Sequence, residues 1–62
     1  MSAKTRTVIR LYKAGRKTGE DVLASMGENP TREDLLEAAS LMMLRVPDGA
    51  TDSEIAEIIR TA

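Results

Sequence analysis

Thr51-Asp52-Ser53-Glu54-Ile55-Ala56-Glu57-Ile58-Ile59-Arg60-Thr61-Ala62 is the most legible stretch of the chain. Threonine followed three residues later by glutamate is the pattern of a capping box, in which each side chain satisfies a backbone N–H that the first helical turn leaves free. Behind it, Ile55, Ile58, Ile59 and Ala62 fall at i, i+3, i+4 and i+7, so the segment reads as an amphipathic helix with one apolar face. An element of this kind must bury its stripe against other elements, which points to packed helices. Pro47-Asp48-Gly49 just before it suits a turn, because proline presets φ and glycine accepts a positive φ.

Working upstream, Asn29-Pro30-Thr31 opens a second helix, with Thr31 as N-cap and Arg32, Glu33 and Asp34 in its first turn. The apolar stripe Leu35, Leu36, Ala39, Met42, Met43 and Val46 predicts that it runs to about Arg45, where Pro47 forbids continuation. Leu41 and Leu44 lie outside this stripe, so the C-terminal half is apolar nearly all round. Such a helix is expected either at the centre of the domain or covered on its second face by another molecule.

A shorter helical stretch spans Thr18 to Met26, capped by Thr18 with Asp21 three residues on, carrying Val22, Leu23 and Met26 and closed by Gly27. At the start of the chain, Val8, Ile9, Leu11 and Tyr12 sit at helical spacing between Ala3 and Ala14, with Gly15 as a stop. The rival for Thr5 to Leu11 is a strand, since the run is rich in Thr, Val and Ile and can be read with a period of two.

At 62 residues the chain forms one domain at most, and a domain this small buries only about 60% of the surface its unfolded form exposes. Cysteine and histidine are absent, which removes disulfides, thiolate chemistry, zinc fingers and imidazole proton shuttles, so self-association is the expected source of extra stability. Tyr12 is the only aromatic residue, and four methionines add adaptable apolar surface. Met1 to Lys17 holds no apolar run of signal-peptide length, and nothing later approaches the roughly 20 apolar residues of a membrane span. The expected location is cytoplasmic, with no membrane partner.

Charge is unevenly divided. Residues 1–17 carry Lys4, Arg6, Arg10, Lys13, Arg16 and Lys17 with no acid, whereas residues 18–62 carry three arginines against ten acids, a net of −7 within an overall −1. Six of the acids, Glu20, Asp21, Glu33, Asp34, Asp52 and Glu54, fall in first turns, where they offset the positive end of the helix dipole. The acidity is therefore mostly helix-start chemistry. Asp48, Asp52 and Glu54 lack the alternating ligands, central glycine and terminal glutamate of a calcium loop. Ala14-Gly15-Arg16-Lys17-Thr18 has Arg16 and Leu11 where a phosphate-binding P-loop requires glycine. With no histidine to activate a serine or threonine, no catalytic constellation is visible. No enzyme activity, cofactor, metal or small-molecule substrate is expected.

The same residues carry two DNA-binding outlines. Val22 to Met43, helix then Gly-Glu-Asn-Pro then helix, has the outline of a helix-turn-helix, but its reading helix would turn Glu33, Asp34 and Glu37 toward phosphates. A strand carrying Arg6 and Arg10 followed by helices has the outline of a ribbon-helix-helix dimer, with the Thr31-Arg32 helix start on a phosphate. Gly15, Arg16, Lys17 and Gly19 leave its first helix without apolar residues for a dimer core. The bland alternative for the basic segment is a solvated helix whose cations pair with acids of its own bundle.

The sequence thus predicts an all-α fold over 1–62, a small bundle of three to four short helices, dimeric, with the helix from Arg32 to Arg45 at its centre. The expected core is Val8, Ile9, Tyr12, Val22, Leu23, Met26, Leu35, Leu36, Ala39, Met42, Met43, Ile55, Ile58 and Ile59. Ile55, Ile58 and Ile59 are expected to pack on the helix spanning Leu35 to Met43. The leading function is a non-enzymatic adaptor or inhibitor acting through a protein–protein interface, with Leu41, Leu44 and Val46 as contact residues. The alternative is a small dimeric DNA-binding regulator that uses Lys4, Arg6, Arg10, Lys13, Arg16 and Lys17.

Overall fold

Four side-chain hydroxyls begin four helices in the computed structural model, which describes residues 1–62. Ser2 Oγ accepts the Thr5 N–H and opens α1 (Ala3–Lys13); Thr18 accepts the Asp21 N–H and opens α2 (Gly19–Ala24). Thr31 accepts the Asp34 N–H and opens α3 (Arg32–Leu41), and Thr51 accepts the Glu54 N–H and opens α4 (Asp52–Thr61). Reciprocal capping boxes form at Thr18 with Asp21 and at Thr51 with Glu54. There is no strand, and no helix is long and apolar enough to cross a membrane.

The segment that could be read as a strand is a helix because Thr5 is used on one face only. Its side chain is buried and its Oγ1 donates to the Ser25 carbonyl at 3.2 Å, while Ser25 Oγ and Ser2 Oγ each lie 3.1 Å from it. Thr5 and Ile9, four residues apart, are the two buried positions of α1. They fasten the start of α1 beside the end of α2.

α4 packs on both α2 and α3, and α1 packs on α2. The expected central place of α3 therefore belongs to α4, whose Ile55 and Ile59 are fully buried. The terminal stripe does meet α3, but it rests as much on α2. The reason lies in Gly19: a Cβ there would stand 1.9 Å from the Ile59 carbonyl oxygen, so only glycine lets the start of α2 meet the end of α4.

α3 stops at Leu41, short of Arg45, and proline does not stop it. The Leu44 N–H reaches the Ala39 carbonyl at 2.9 Å and the Met43 N–H reaches Ser40 at 3.0 Å, the paired closing bonds of a Schellman motif. Met43 takes the left-handed position at φ 62, the only non-glycine residue to do so. At the end of α1 the same bonds, Arg16 to Leu11 and Gly15 to Tyr12, are formed with Gly15 in that position at φ 76. Farther on, the Ala50 N–H bonds to the Pro47 carbonyl with Gly49 at φ 81, so the Pro47-Asp48-Gly49 turn forms as its residues predict.

The core consists of Ile9, Val22, Leu35, Ala38, Ala39, Met42, Ala50, Ile55 and Ile59. Val8, Tyr12, Leu23, Met26 and Ile58 are half-buried at its edge. Two expected core residues are outside: Leu36 is 39% exposed and Met43 83%. Once the chain leaves the helix at Met42, Met43 no longer continues the stripe, and the buried face is that of Leu35, Ala38, Ala39 and Met42. The Cα radius of gyration is 10.3 Å, close to the roughly 10.6 Å that folded chains of this length reach.

Candidate protein-binding surface

α1 buries Thr5 and Ile9 and turns Arg6, Arg10 and Lys13, at i, i+4 and i+7, to solvent. Its start is held beside the start of α3 by charge. The amino terminus lies 3.3 Å from Asp34 and 3.8 Å from Glu37, and Arg6 lies 3.5 Å from Glu37. One turn farther along, α3 offers no further acid; it offers Leu41.

Arg6, Ile9, Arg10, Lys13 and Leu41 consequently line a shallow cleft of about 180 Å³ between the two helices. Ile9 forms its floor, Leu41 one wall, 38% exposed, and the three cations its rim. Of the six cations in residues 1–17, Arg6 alone has a carboxylate within 4.0 Å. Pairing with an acid of its own bundle is thus formed by Arg6, while the other five cations stand in solvent. The cleft thus sets three cations beside one exposed leucine, with Ile9 buried beneath.

Not every residue singled out in the sequence joins this cleft. Lys4 is exposed but does not line it, and Arg16 and Lys17 lie beyond Gly15 in the link to α2, where Lys17 helps to lower the pKa of Asp21. Leu44 and Val46 are half-buried against the core, so of the three apolar contact residues Leu41 is the one on the cleft. Ile9 is a core residue, as its stripe predicts, and its place beneath the cleft depends on Leu41 from α3. Met43 belongs to an apolar stripe in the sequence, and its exposure follows from the helix end.

Elsewhere the surface is shaped by caps rather than by chemistry. Asp21 and Glu54 are held below the usual carboxylate range, first because the backbone N–H of their N-cap threonine donates to them and second because the threonine hydroxyl does. No group of three acids comes together in a way that could hold a metal ion. A larger groove of about 480 Å³ runs between the Pro47–Ala50 turn and α4, with Ile58 in it and Asp48, Glu54 and Glu57 along it. Comparison with protein-family models, with curated proteins and with solved structures finds no match for this chain.

Proposed function

We propose that the chain is a non-enzymatic interaction module, an adaptor or inhibitor, that docks a protein partner on the α1/α3 cleft. One observation carries the reading: Arg10 and Lys13 stand without carboxylate partners beside an exposed leucine, over an isoleucine floor. Unpaired cations raise encounter rates with an anionic partner, and the exposed Leu41 supplies apolar area that charge does not. Binding here requires no rearrangement of the fold, so the module acts by occlusion or by assembly.

A DNA-binding regulator draws on the same cations and is the second reading. Its ribbon form needs a strand where α1 stands. Its helix-turn-helix form would bring Glu33, Asp34 and Glu37 of α3 toward phosphates, with seven residues, 25–31, between α2 and α3. The protein partner is favoured because phosphates make no use of the exposed Leu41.

The test is binding by parent, Leu41→Ser, and the double variant Arg10→Gln with Lys13→Gln, with and without nuclease, alongside random-sequence duplex at two salt concentrations. The proposal expects nuclease-resistant capture that both variants lose while their melting stays close to the parent's, and no duplex binding even at low salt. Duplex binding with a salt slope near −0.9 per phosphate neutralised would replace it with the regulator reading.

A further inference from the structure

The largest groove of the molecule is the chemical complement of the cleft. It places Ile58, half-buried while its stripe neighbours Ile55 and Ile59 are fully buried, between the carboxylates of Glu54, Glu57 and Asp48, with Pro47 and Ala50 on the opposite wall. Glu54 and Glu57 bear charge outward although each has a local partner, Glu54 in the capping box and Glu57 at 2.6 Å from Arg60. Asp48, like Arg10 and Lys13, has no oppositely charged group within 4.0 Å. On α4, Glu54, Ile58 and Thr61 repeat at i, i+4 and i+7; on α1, Arg6, Arg10 and Lys13 do the same. Each strip is therefore about 10 Å long; the α1 strip carries three cations, whereas the groove's three carboxylates are Glu54 in the capping box, Glu57 paired with Arg60, and Asp48, which comes from the turn and has no ionic partner.

We propose that the cation-rimmed α1/α3 cleft of one molecule receives the acidic α4 groove of a second copy, so that the chain self-associates through two different, charge-complementary faces. This rests on the cleft being a protein-docking surface and names its occupant. Leu41 meets the Ile58 side of the groove, and Arg10 and Lys13 gain the carboxylates they lack within their own molecule. Because the faces lie on different elements, the contact is heterologous and extends or closes into a ring according to the rotation it imposes. Exposed ion pairs are weak and screened by salt, so the association is concentration-dependent and falls as ionic strength rises.

The decisive experiment removes one face at a time from the full chain. Mass is followed by sedimentation velocity and light scattering from about 10 μM to about 1 mM, a range that brackets weak self-association. Low salt is compared with about 1 M salt, where the Debye length shrinks to about 3 Å. The parent should grow in mass with concentration at low salt and return to monomer at high salt. Arg10→Gln with Lys13→Gln, and separately Asp48→Asn with Glu57→Gln, should each weaken association by about tenfold or more while melting like the parent. Glu54 is left in place because it caps α4. Mixed in equal amounts, the two double variants should form heterodimers, since one retains the groove and the other the cleft. A parent that stays monomeric throughout, or association that neither double variant weakens, overturns the inference. If the parent is monomeric while a foreign partner still requires Arg10, Lys13 and Leu41, the docking surface stands and only its occupant is wrong. If those residues matter to neither, both readings fall.

Discussion

Replacing Met43 by glycine is expected to raise the stability of the folded chain even though it deletes an apolar side chain. Met43 is the residue just past the end of α3, in the left-handed region at φ 62, and its side chain is 83% exposed. An L-residue with a Cβ pays about 1–2 kcal/mol to sit there, whereas glycine does so freely. Against this, glycine leaves more conformational freedom in the unfolded chain, an opposing effect of about 0.5–1 kcal/mol. The side chain at this exposure has little packing to lose. The net gain lies between about 0 and about 1.5 kcal/mol, centred near about 0.7 kcal/mol, and in a domain of this size each kcal/mol moves Tm by roughly 4–8 °C. Thermal melts and urea titrations of the parent and Met43→Gly read it directly, with an unchanged urea slope confirming that the folded and unfolded surfaces are the same. Met43→Ala is the control, because it removes the side chain but keeps the Cβ and so should give no comparable gain. If Met43→Gly melts at or below the parent temperature, the left-handed helix end or the lack of packing around Met43 is wrong. A gain in stability accompanied by weaker partner binding would mark Met43 as part of the docking surface.

Gly19→Ala runs the other way: helix propensity favours alanine, but its Cβ would meet the Ile59 carbonyl oxygen at 1.9 Å, so a loss of about 1–3 kcal/mol is expected in a denaturant titration. Ile59→Ala, at a fully buried site, should lose about 2–5 kcal/mol and can unfold a domain this small. Ile58→Ala, half-buried in the groove, should lose about 1 kcal/mol; equal losses at the two sites would show that α4 is oriented differently. Acid should weaken the fold through the two capping boxes. Asp21 and Glu54 have folded-state pKa values below their unfolded ones, so their stabilising contribution is complete above the ordinary carboxylate range and is lost as pH falls through the folded values. In Tm measured against pH, the gap between the parent and the Asp21→Asn, Glu54→Ala variant should narrow on acidification, and a constant gap would contradict the assignment.

The sequence alone determined what can be decided within one helical turn. Thr18 with Asp21 and Thr51 with Glu54 are capping boxes in any context where their backbone turns helical, and Pro47-Asp48-Gly49 carries its own turn preferences. The stripe of Ile55 and Ile59, and that of Leu35, Ala39 and Met42, follow from spacing, so the all-helical architecture was legible before any contact was known. The charge division of residues 1–17 was also plain, but not which of its cations would stand without partners.

Tertiary structure decided whatever depended on residues distant in the chain. Thr5 to Leu11 is helical with Thr5 and Ile9 buried on one face, where Ser25 of a distant segment gives Thr5 its hydrogen-bonding site. The need for glycine at position 19 comes from the approach of α4, and the buried face of α3 is that of Leu35, Ala38, Ala39 and Met42, which leaves Leu36 outside. Met43 carries no local signal for a helix end, so the apolar run through Val46 concealed both the stop and the exposed methionine. The cleft exists because α1 and α3 share one core through Ile9, with Asp34 and Glu37 facing the start of α1, which sets Leu41 beside Arg10 and Lys13. Capping and turn preferences act over a few bonds and are written in neighbouring residues; burial and pairing depend on which surfaces meet, and that is settled only when the helices pack.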